Sequence, residues 1–418
     1  MSTLTAPPLP PGDASPEWQL ALRQAPAAAR SVLRLLRRLR HGHLELRIPN
    51  GTVLAFGQPP TTTTLHARLE LADWRVAGAV LRSGDIGFAE SYLEGQWSSP
   101  DVAALLRLML ANRRELDAVV HGHWLGRALY RLRHRLRRNS RRGSRRNIHA
   151  HYDLGNGFYR LWLDESMTYS SAWFGGDWGQ SLEQAQRAKM RRALQQTGVR
   201  AGQRLLEIGC GWGALAELAA REFGARVTGV TLSTEQLTHG MRRIAHTGLS
   251  EQVELRLQDY RDIADGPFDA IVSIEMIEAV GQAYWPAYFG ALRRLLTPGG
   301  RACVQAIVIR DELFERYLQG TDFIQQYVFP GGCLLSRGEM ARQARRAQLQ
   351  IVDEFAFGPD YAETLRRWRR AFLAQRDAVL AQGFDERFVR LWTFYLAYCE
   401  AGFDAGDLDV VQVTLARP

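Results

Sequence analysis

Seven consecutive residues, Glu207-Ile208-Gly209-Cys210-Gly211-Trp212-Gly213, carry the first chemical signal in the chain. Glycines at alternate positions let a backbone turn tightly and approach a bound ligand, and these lie between an apolar run, R-L-L-E-I, and a helical pattern beginning near Ala214. The spacing is G-x-G-x-G. A dinucleotide fingerprint would need a glycine at position 214, where alanine stands, so hydride transfer with a nicotinamide is the weaker chemistry. Three H-x-H pairs, His41/His43, His121/His123 and His149/His151, invite zinc. They are scattered and lack acidic or cysteine partners at ligand spacing, so no metal site is expected. The cysteines Cys210, Cys303, Cys333 and Cys399 form no C-x-x-C pair and no disulfide framework, which points to a reducing cytoplasmic compartment.

The elements that must position the glycine loop follow from hydrophobic periodicity. From about Ala201, strand-length runs alternate with helical segments: R-L-L-E-I, A-R-V-T-G-V-T-L, V-E-L-R-L, F-D-A-I-V-S-I, R-A-C-V-Q-A-I-V-I, Q-I-V-D-E-F and D-V-V-Q-V-T-L. This predicts an α/β fold with a doubly wound seven-stranded sheet whose central strands are covered on both faces. Upstream, Asn50-Gly51 between L-E-L-R-I at 44–48 and T-V-L-A-F at 52–56 signals a hairpin, and A-R-L-E-L follows at 67–71. A small α+β domain is expected over 21–125, closing in a helix from roughly Ala89 to Leu110. Residues 1–20, rich in proline and small residues, read as a disordered lead-in without a secretory signal. The 53 Lys and Arg exceed the 44 Asp and Glu by nine, and nine arginines lie between Arg131 and Arg146 alone, so basicity is concentrated in a bridge at 126–148. The 418 residues, 46% hydrophobic, exclude wholesale disorder, and no apolar run is long enough to span a bilayer.

The order E-x-G-x-G-x-G after a first strand resembles the first motif of class I S-adenosylmethionine methyltransferases. On that likeness Glu207, Gly209, Gly211 and Gly213 hold cofactor, Asp259 accepts a hydrogen bond from the adenine amino group, and Tyr260 packs on the ring. Pro298-Gly299-Gly300 opens the fifth strand, another feature of that fold. Where an acid is expected for the ribose hydroxyls, the chain has Thr231-Leu232-Ser233, with Gln236 beyond.

Longer blocks make the resemblance specific. His151-Tyr152-Asp153-Leu154-Gly155-Asn156, Met167 to Trp173, G-V-T-L-S-T-E-Q at 229–236, Gln258 to Asp262, Tyr327 to Cys333 and Phe357 to Tyr361 resemble the cyclopropane-fatty-acyl-phospholipid synthase family, and Gly84 to Tyr92 extends the likeness upstream. The resemblance implies that residues 149–418 form an S-adenosylmethionine-dependent methyltransferase domain with an acyl-chain tunnel. Its expected reaction adds a methyl to the double bond of an unsaturated acyl chain in phospholipid, through a carbocation that then loses a proton. Ring closure gives a cyclopropane; a prior hydride shift gives a methylene- or methyl-branched chain. Tyr169 and Ser170 match residues that close over the cofactor.

The family's bicarbonate pocket, built from a cysteine, a glutamate, a histidine, a tyrosine and a backbone amide, is only partly kept. Glu278, Ile307 and Tyr361 match it, whereas the cysteine becomes Ser171 and the histidine Gln305. Glu275 stands where the synthases usually carry glycine. A fixed carboxylate and a bound anion compete for one small cavity, so Glu275 is expected to supply the charge or base otherwise given by bicarbonate.

An enzyme acting on bilayer lipid must dock. The resemblance therefore implies peripheral attachment to the inner face of the membrane, with the arginine bridge and Arg34 to Arg40 holding anionic headgroups while Val32, Leu35, Leu36 and Leu39 insert shallowly. Nucleic acid is the rival partner; the bridge has no interleaved aromatics for base stacking. The alternatives are a methyltransferase on a soluble small molecule and a non-catalytic membrane or nucleic-acid module. No pattern fixes the oligomeric state, and a homodimer is compatible with the sequence.

Overall fold

A computed structural model describes residues 15–120 and 154–418, so the arginine bridge, His121/His123, His149/His151 and the block His151 to Asp153 lie outside the described residues. The chain divides into two compact units.

The first unit contains a four-stranded sheet, β1 His43–Arg47, β2 Val53–Gly57, β3 His66–Leu71 and β4 Trp97–Ser98, in the order β2-β1-β3-β4. The Asn50-Gly51 hairpin forms as expected, with Leu44 opposite Phe56 and Leu46 opposite Leu54 in antiparallel register. Strand β3 runs parallel to β1, which sets His66 beside His43.

Four expectations for this unit need correction. The helix Pro16–Gln24, capped by the Ser15 hydroxyl on the Trp18 amide, begins inside the stretch read as disordered lead-in. The helical run from Ala89 to Leu110 is two helices, Arg75–Leu93 and Val102–Ala111, separated by β4; the first is kinked at Gly84, whose φ of 60° only glycine adopts readily. The apolar face proposed for membrane insertion is also largely spent: of Val32, Leu35, Leu36 and Leu39, the three leucines are buried in the protein and Val32 is half-buried. Arg34, Arg37, Arg38 and Arg40 stay exposed. The unit also draws in Gly320–Phe323 and Gly383–Ala405, so the expected boundary near residue 125 captures only its first part. The helix Glu386–Asp404 supplies Glu400, fully buried and paired with Arg107.

The second unit holds the expected α/β sheet: β5 Arg204–Ile208, β6 Arg226–Thr231, β7 Val253–Leu257, β8 Phe268–Ile274, β9 Leu296–Ile309, β10 Gln350–Ala356 and β11 Leu408–Ala416. The order is β10-β11-β9-β8-β5-β6-β7, with β7 through β9 parallel across the sheet and β11 and β10 antiparallel at one edge. The sequence of connections reverses between β5 and β8, and ligands bind at such switch points outside the carboxyl ends of the strands. One face is sealed by Met190, Leu194, Leu215 and Ala219, the other by Trp285, Tyr288, Phe289 and Leu292. Covered on both faces, β5, β8 and β9 present their carboxyl ends as the place where polar groups gather.

Candidate active site

The loop after β5 is built for close approach. Gly209 has a φ of +86°, and a Cβ on it would lie 2.9 Å from Met276 Cγ and 3.1 Å from Met276 Cβ, so only glycine fits between the β5 and β8 ends. Gly213, φ +84°, caps the helix Ala214–Phe223. One cavity opens beside this loop. It is lined by Tyr169, Ser170, Glu207, Gly209, Gly211, Thr231, Leu232, Gln236, Asp259 and Tyr260, ten of the eleven residues expected to hold cofactor, together with Glu275. Gly213 does not line it; a Cβ there would instead meet Gly240 Cα at 3.3 Å, so this glycine serves helix packing.

Individual contacts refine the expected roles. Thr231 Oγ1 donates to Gln236 Oε1 at 2.9 Å, which fixes a neutral amide at the end of β6, where an acid was expected. Asp259 is buried, but its oxygens already accept from Arg261: the amide at 3.0 Å and Nε at 2.8 Å on Oδ1, and a guanidinium nitrogen at 2.5 Å on Oδ2. The Arg261 guanidinium also lies 5.7 Å from the Tyr260 ring centroid. Tyr169 is boxed by aromatic rings, with Tyr159 at 5.5 Å, Trp162 at 5.4 Å and Trp368 at 5.4 Å between centroids.

Behind the cavity a polar cluster converges on a carboxylate. Glu275, directly after β8 and at a positive φ of 48°, accepts from the Ser171 amide at 2.8 Å and Gln305 Nε2 at 2.8 Å on Oε1, and from the Tyr361 hydroxyl at 2.6 Å on Oε2. Gln305 is itself held, its Oε1 accepting from Gln412 Nε2 at 3.0 Å. The Ile307 amide, expected to serve an anion, donates to Glu278 Oε1 at 2.6 Å. Glu278 Oε2 is shielded from solvent and has no hydrogen-bond partner among the described residues. Burial pushes the Glu278 carboxyl up to about 8, and the nearby Glu275 charge adds to the shift. Burial also raises Glu275, against the Lys189 cation and its three hydrogen-bond donors. The Ser171 hydroxyl turns to the Ala172 carbonyl at 2.9 Å and takes no part.

Lys189 escaped the sequence reading. It sits in the helix Leu182–Thr197, within a pattern that resembles any charged amphipathic helix, yet it is fully buried, lines the cavity and donates to Ser170 Oγ at 2.6 Å. Burial brings its ammonium down to about 8, opposed by the carboxylates of Glu275, Asp164 and Glu207. Glu207 is raised well above the usual carboxylate range by burial, and its Oε2 has no hydrogen-bond partner among the described residues. Burial, with the Glu207 charge adding to it, pushes the Cys210 thiol well above its ordinary range.

The site therefore offers an unpaired acceptor at the β5 end, a glycine cradle, and a held carboxylate next to a buried amine. Comparison with known proteins gives this geometry its context. Residues 139–413 match the family described as mycolic acid cyclopropane synthetase. The tuberculostearic acid methyltransferase of Mycobacterium tuberculosis is 42% identical over 94% of this chain and 92% of its own length. The cyclopropane-fatty-acyl-phospholipid synthase of Escherichia coli K12 is 34% identical over 81% of this chain and 85% of its own. A solved mycolic acid cyclopropane synthase, in complex with SAH and CTAB, is 32% identical with a TM-score of 0.61, over 65% of this chain and 97% of that one.

Proposed function

The chain belongs to the mycolic acid cyclopropane synthetase family of S-adenosylmethionine-dependent methyltransferases, and from that premise we propose that it methylates the double bond of an unsaturated fatty acyl chain in membrane phospholipid, with Glu275 taking the proton that leaves. The convergence of the Ser171 amide, Gln305 and Tyr361 on Glu275 carries this reading.

The residues fit the cofactor. Glu207 Oε2 is an orphaned buried acceptor for a hydroxyl or amine donor, the Gly209 turn admits backbone contact, and the Thr231–Gln236 pair leaves the amide nitrogen of Gln236 to donate. When bound, S-adenosylmethionine supplies an electrophilic sulfonium methyl, which the π electrons of the alkene take up to leave a cation on the acyl chain. Rings around Tyr169 shield such a charge from water and favour it electrostatically. Burial makes Glu275 a stronger base than an ordinary carboxylate, and the Lys189 charge opposes that rise. Bicarbonate does not fit: the Ser171 amide, Gln305 and Tyr361 already donate to Glu275, and the Ile307 amide to Glu278, so no step is assigned to it.

The product we propose is the methylene-branched chain. A hydride shift moves the positive charge to the carbon bearing the new methyl; that methyl then loses a proton to Glu275, and its C–H electrons form the double bond. Two observations favour this over ring closure: Glu275 accepts from the Ser171 amide, Gln305 and Tyr361, and the relative at 42% identity is named a tuberculostearic acid methyltransferase. Docking on anionic headgroups is supported by an open groove lined by Arg37, Arg38, Arg40 and Arg114 together with Leu39 and Glu115, the last 3.6 Å from Arg40 Nε, on a chain in which no described helix is long and apolar enough to cross a membrane.

The test incubates the protein with S-adenosylmethionine and monounsaturated phospholipid liposomes, followed by mass spectrometry and NMR of the released fatty acids. A gain of one carbon with olefinic =CH2 signals is expected. Cyclopropane signals would overturn the product, and no added carbon would overturn the lipid substrate.

A further inference from the structure

In the first unit, away from the methyl-transfer site, the register of β1 and β3 brings together a set of side chains that no sequence spacing reveals. His43 and Glu45 are two residues apart on β1 and so share a face of the sheet. Parallel pairing places His66 opposite His43 on that face, with ring centroids 5.4 Å apart. One ligand atom from each of His43, Glu45 and His66 lies within 4.8 Å of the other two.

We propose that His43, Glu45 and His66 form a binding site for a divalent transition-metal cation, zinc by its ligand preference. The chemistry of each ligand supports it. His43 is fully buried, and its Nδ1 lies 2.9 Å from the Gln58 carbonyl oxygen. A carbonyl only accepts, so Nδ1 carries the proton and Nε2 is left with a lone pair. That Nε2 is buried and has no hydrogen-bond partner among the described residues. An imidazole fixed by a backbone carbonyl through one nitrogen, with the other bare, is how ligating histidines are held in metal sites. Glu45 is held at one oxygen by Arg68 Nε, 2.7 Å from Oε2, while its other oxygen, Oε1, pairs with His66 Nε2 at 3.3 Å, a contact the ion would replace. Two imidazoles and one carboxylate suit zinc and its transition-metal neighbours and suit magnesium or calcium poorly. The His66 side chain is 38% exposed, which leaves an entry path and room for a water as fourth ligand. Such an ion would tie β1 to β3.

The test uses untagged full-length protein, stripped with chelator and titrated with ZnCl2 by calorimetry, alongside thermal unfolding with ZnCl2 or MgCl2. One zinc per chain and a rise in unfolding temperature with zinc only are expected. His66→Gln and Glu45→Gln should each weaken zinc binding at least tenfold, whereas His41→Gln, at an exposed neighbouring histidine, should not. Circular dichroism of the variants checks that they fold. Absence of stoichiometric zinc, or zinc binding unchanged in both folded ligand variants, would overturn the site. Methyl transfer is read separately and bears only on the active site.

Discussion

Tyr361 donates its hydroxyl to Glu275 Oε2 at 2.6 Å, although the two lie 86 positions apart, one in the helix Gly358–Ala374 and the other immediately after β8. This contact locks the carboxylate from the side opposite Ser171 and Gln305, so three donors fix one acceptor at the edge of the cavity. A base held this way acts at one place, which is the requirement for choosing among the hydrogens of a short-lived cation.

Glu275→Gly tests this directly. The substitution removes the carboxylate and relaxes a non-glycine residue from φ +48°, so the fold is expected to survive. Loss of a general base costs about 10²–10⁴-fold in turnover. The vacated donors can then accept a small anion. Added bicarbonate is expected to restore part of the variant's rate and to leave the wild-type rate unchanged, both measured in carbonate-depleted buffer. Equal bicarbonate dependence in the two proteins would refute the replacement of the anion by Glu275.

Lys189 tunes the same group. Its positive charge holds the Glu275 carboxyl below the level that burial alone would set, so Lys189→Met raises Glu275 further. The acid limb of the turnover profile should therefore move to higher pH, with Lys189→Arg closer to wild type. A lysine serving structure alone would lower thermal stability and leave that limb in place.

Much of this site was legible in the sequence because it lies at strand ends. The glycine loop, Thr231 and Glu275 directly follow apolar runs that read clearly as strands, and the sheet's topology then brings them to one edge. Lys189 was not legible, because a lysine in a helix with Glu183 and Arg187 reads as solvated until packing buries it. The grip of Arg261 on Asp259 was hidden for a related reason: the short turn at Tyr260–Asp262 folds the side chain back two residues, and no periodicity marks it. Leu35, Leu36 and Leu39 were legible as an apolar face and misassigned to the membrane, since the same pattern serves a core and a bilayer. His66 meets His43 only through strand register, 23 residues on.

Glu278 gives a stability signature with a definite sign. Its folded carboxyl is raised to about 8 from an ordinary 4.5, so between those values the folded protein keeps a proton that the unfolded chain has lost. The contribution is fully present below about 4.5 and is lost as pH rises through 8. Lys189, lowered to about 8 from 10.5, acts with the opposite slope in the next window, where the unfolded chain binds more protons and stability rises with pH. Denaturant unfolding from pH 5 to 8 should show a decline that Glu278→Gln flattens. An unchanged slope in that variant would mean Glu278 is ionised in the fold.

Gly209 and Gly211, two of the loop's three glycines, separate cradle from contact. Alanine at either is strained by about 1–2 kcal/mol, because both have positive φ, +86° for Gly209 and +50° for Gly211. Their surroundings differ. A Cβ at Gly209 meets the Met276 side chain at 2.9 Å, and Met276 follows Glu275, so relief requires moving the β8 end that carries the base. A Cβ at Gly211 meets nothing within 4 Å, yet this residue lines the cavity. Gly209→Ala should therefore lower the stability of the unliganded protein by about 2–3 kcal/mol and reduce turnover even at saturating S-adenosylmethionine. Gly211→Ala should lose only the strain energy in stability and weaken S-adenosylmethionine binding instead, because its methyl projects where a ligand would lie. Denaturant unfolding and calorimetric binding of both variants decide the matter. Equal losses of stability would show that Met276 yields freely and that the loop and the β8 end are not mechanically coupled.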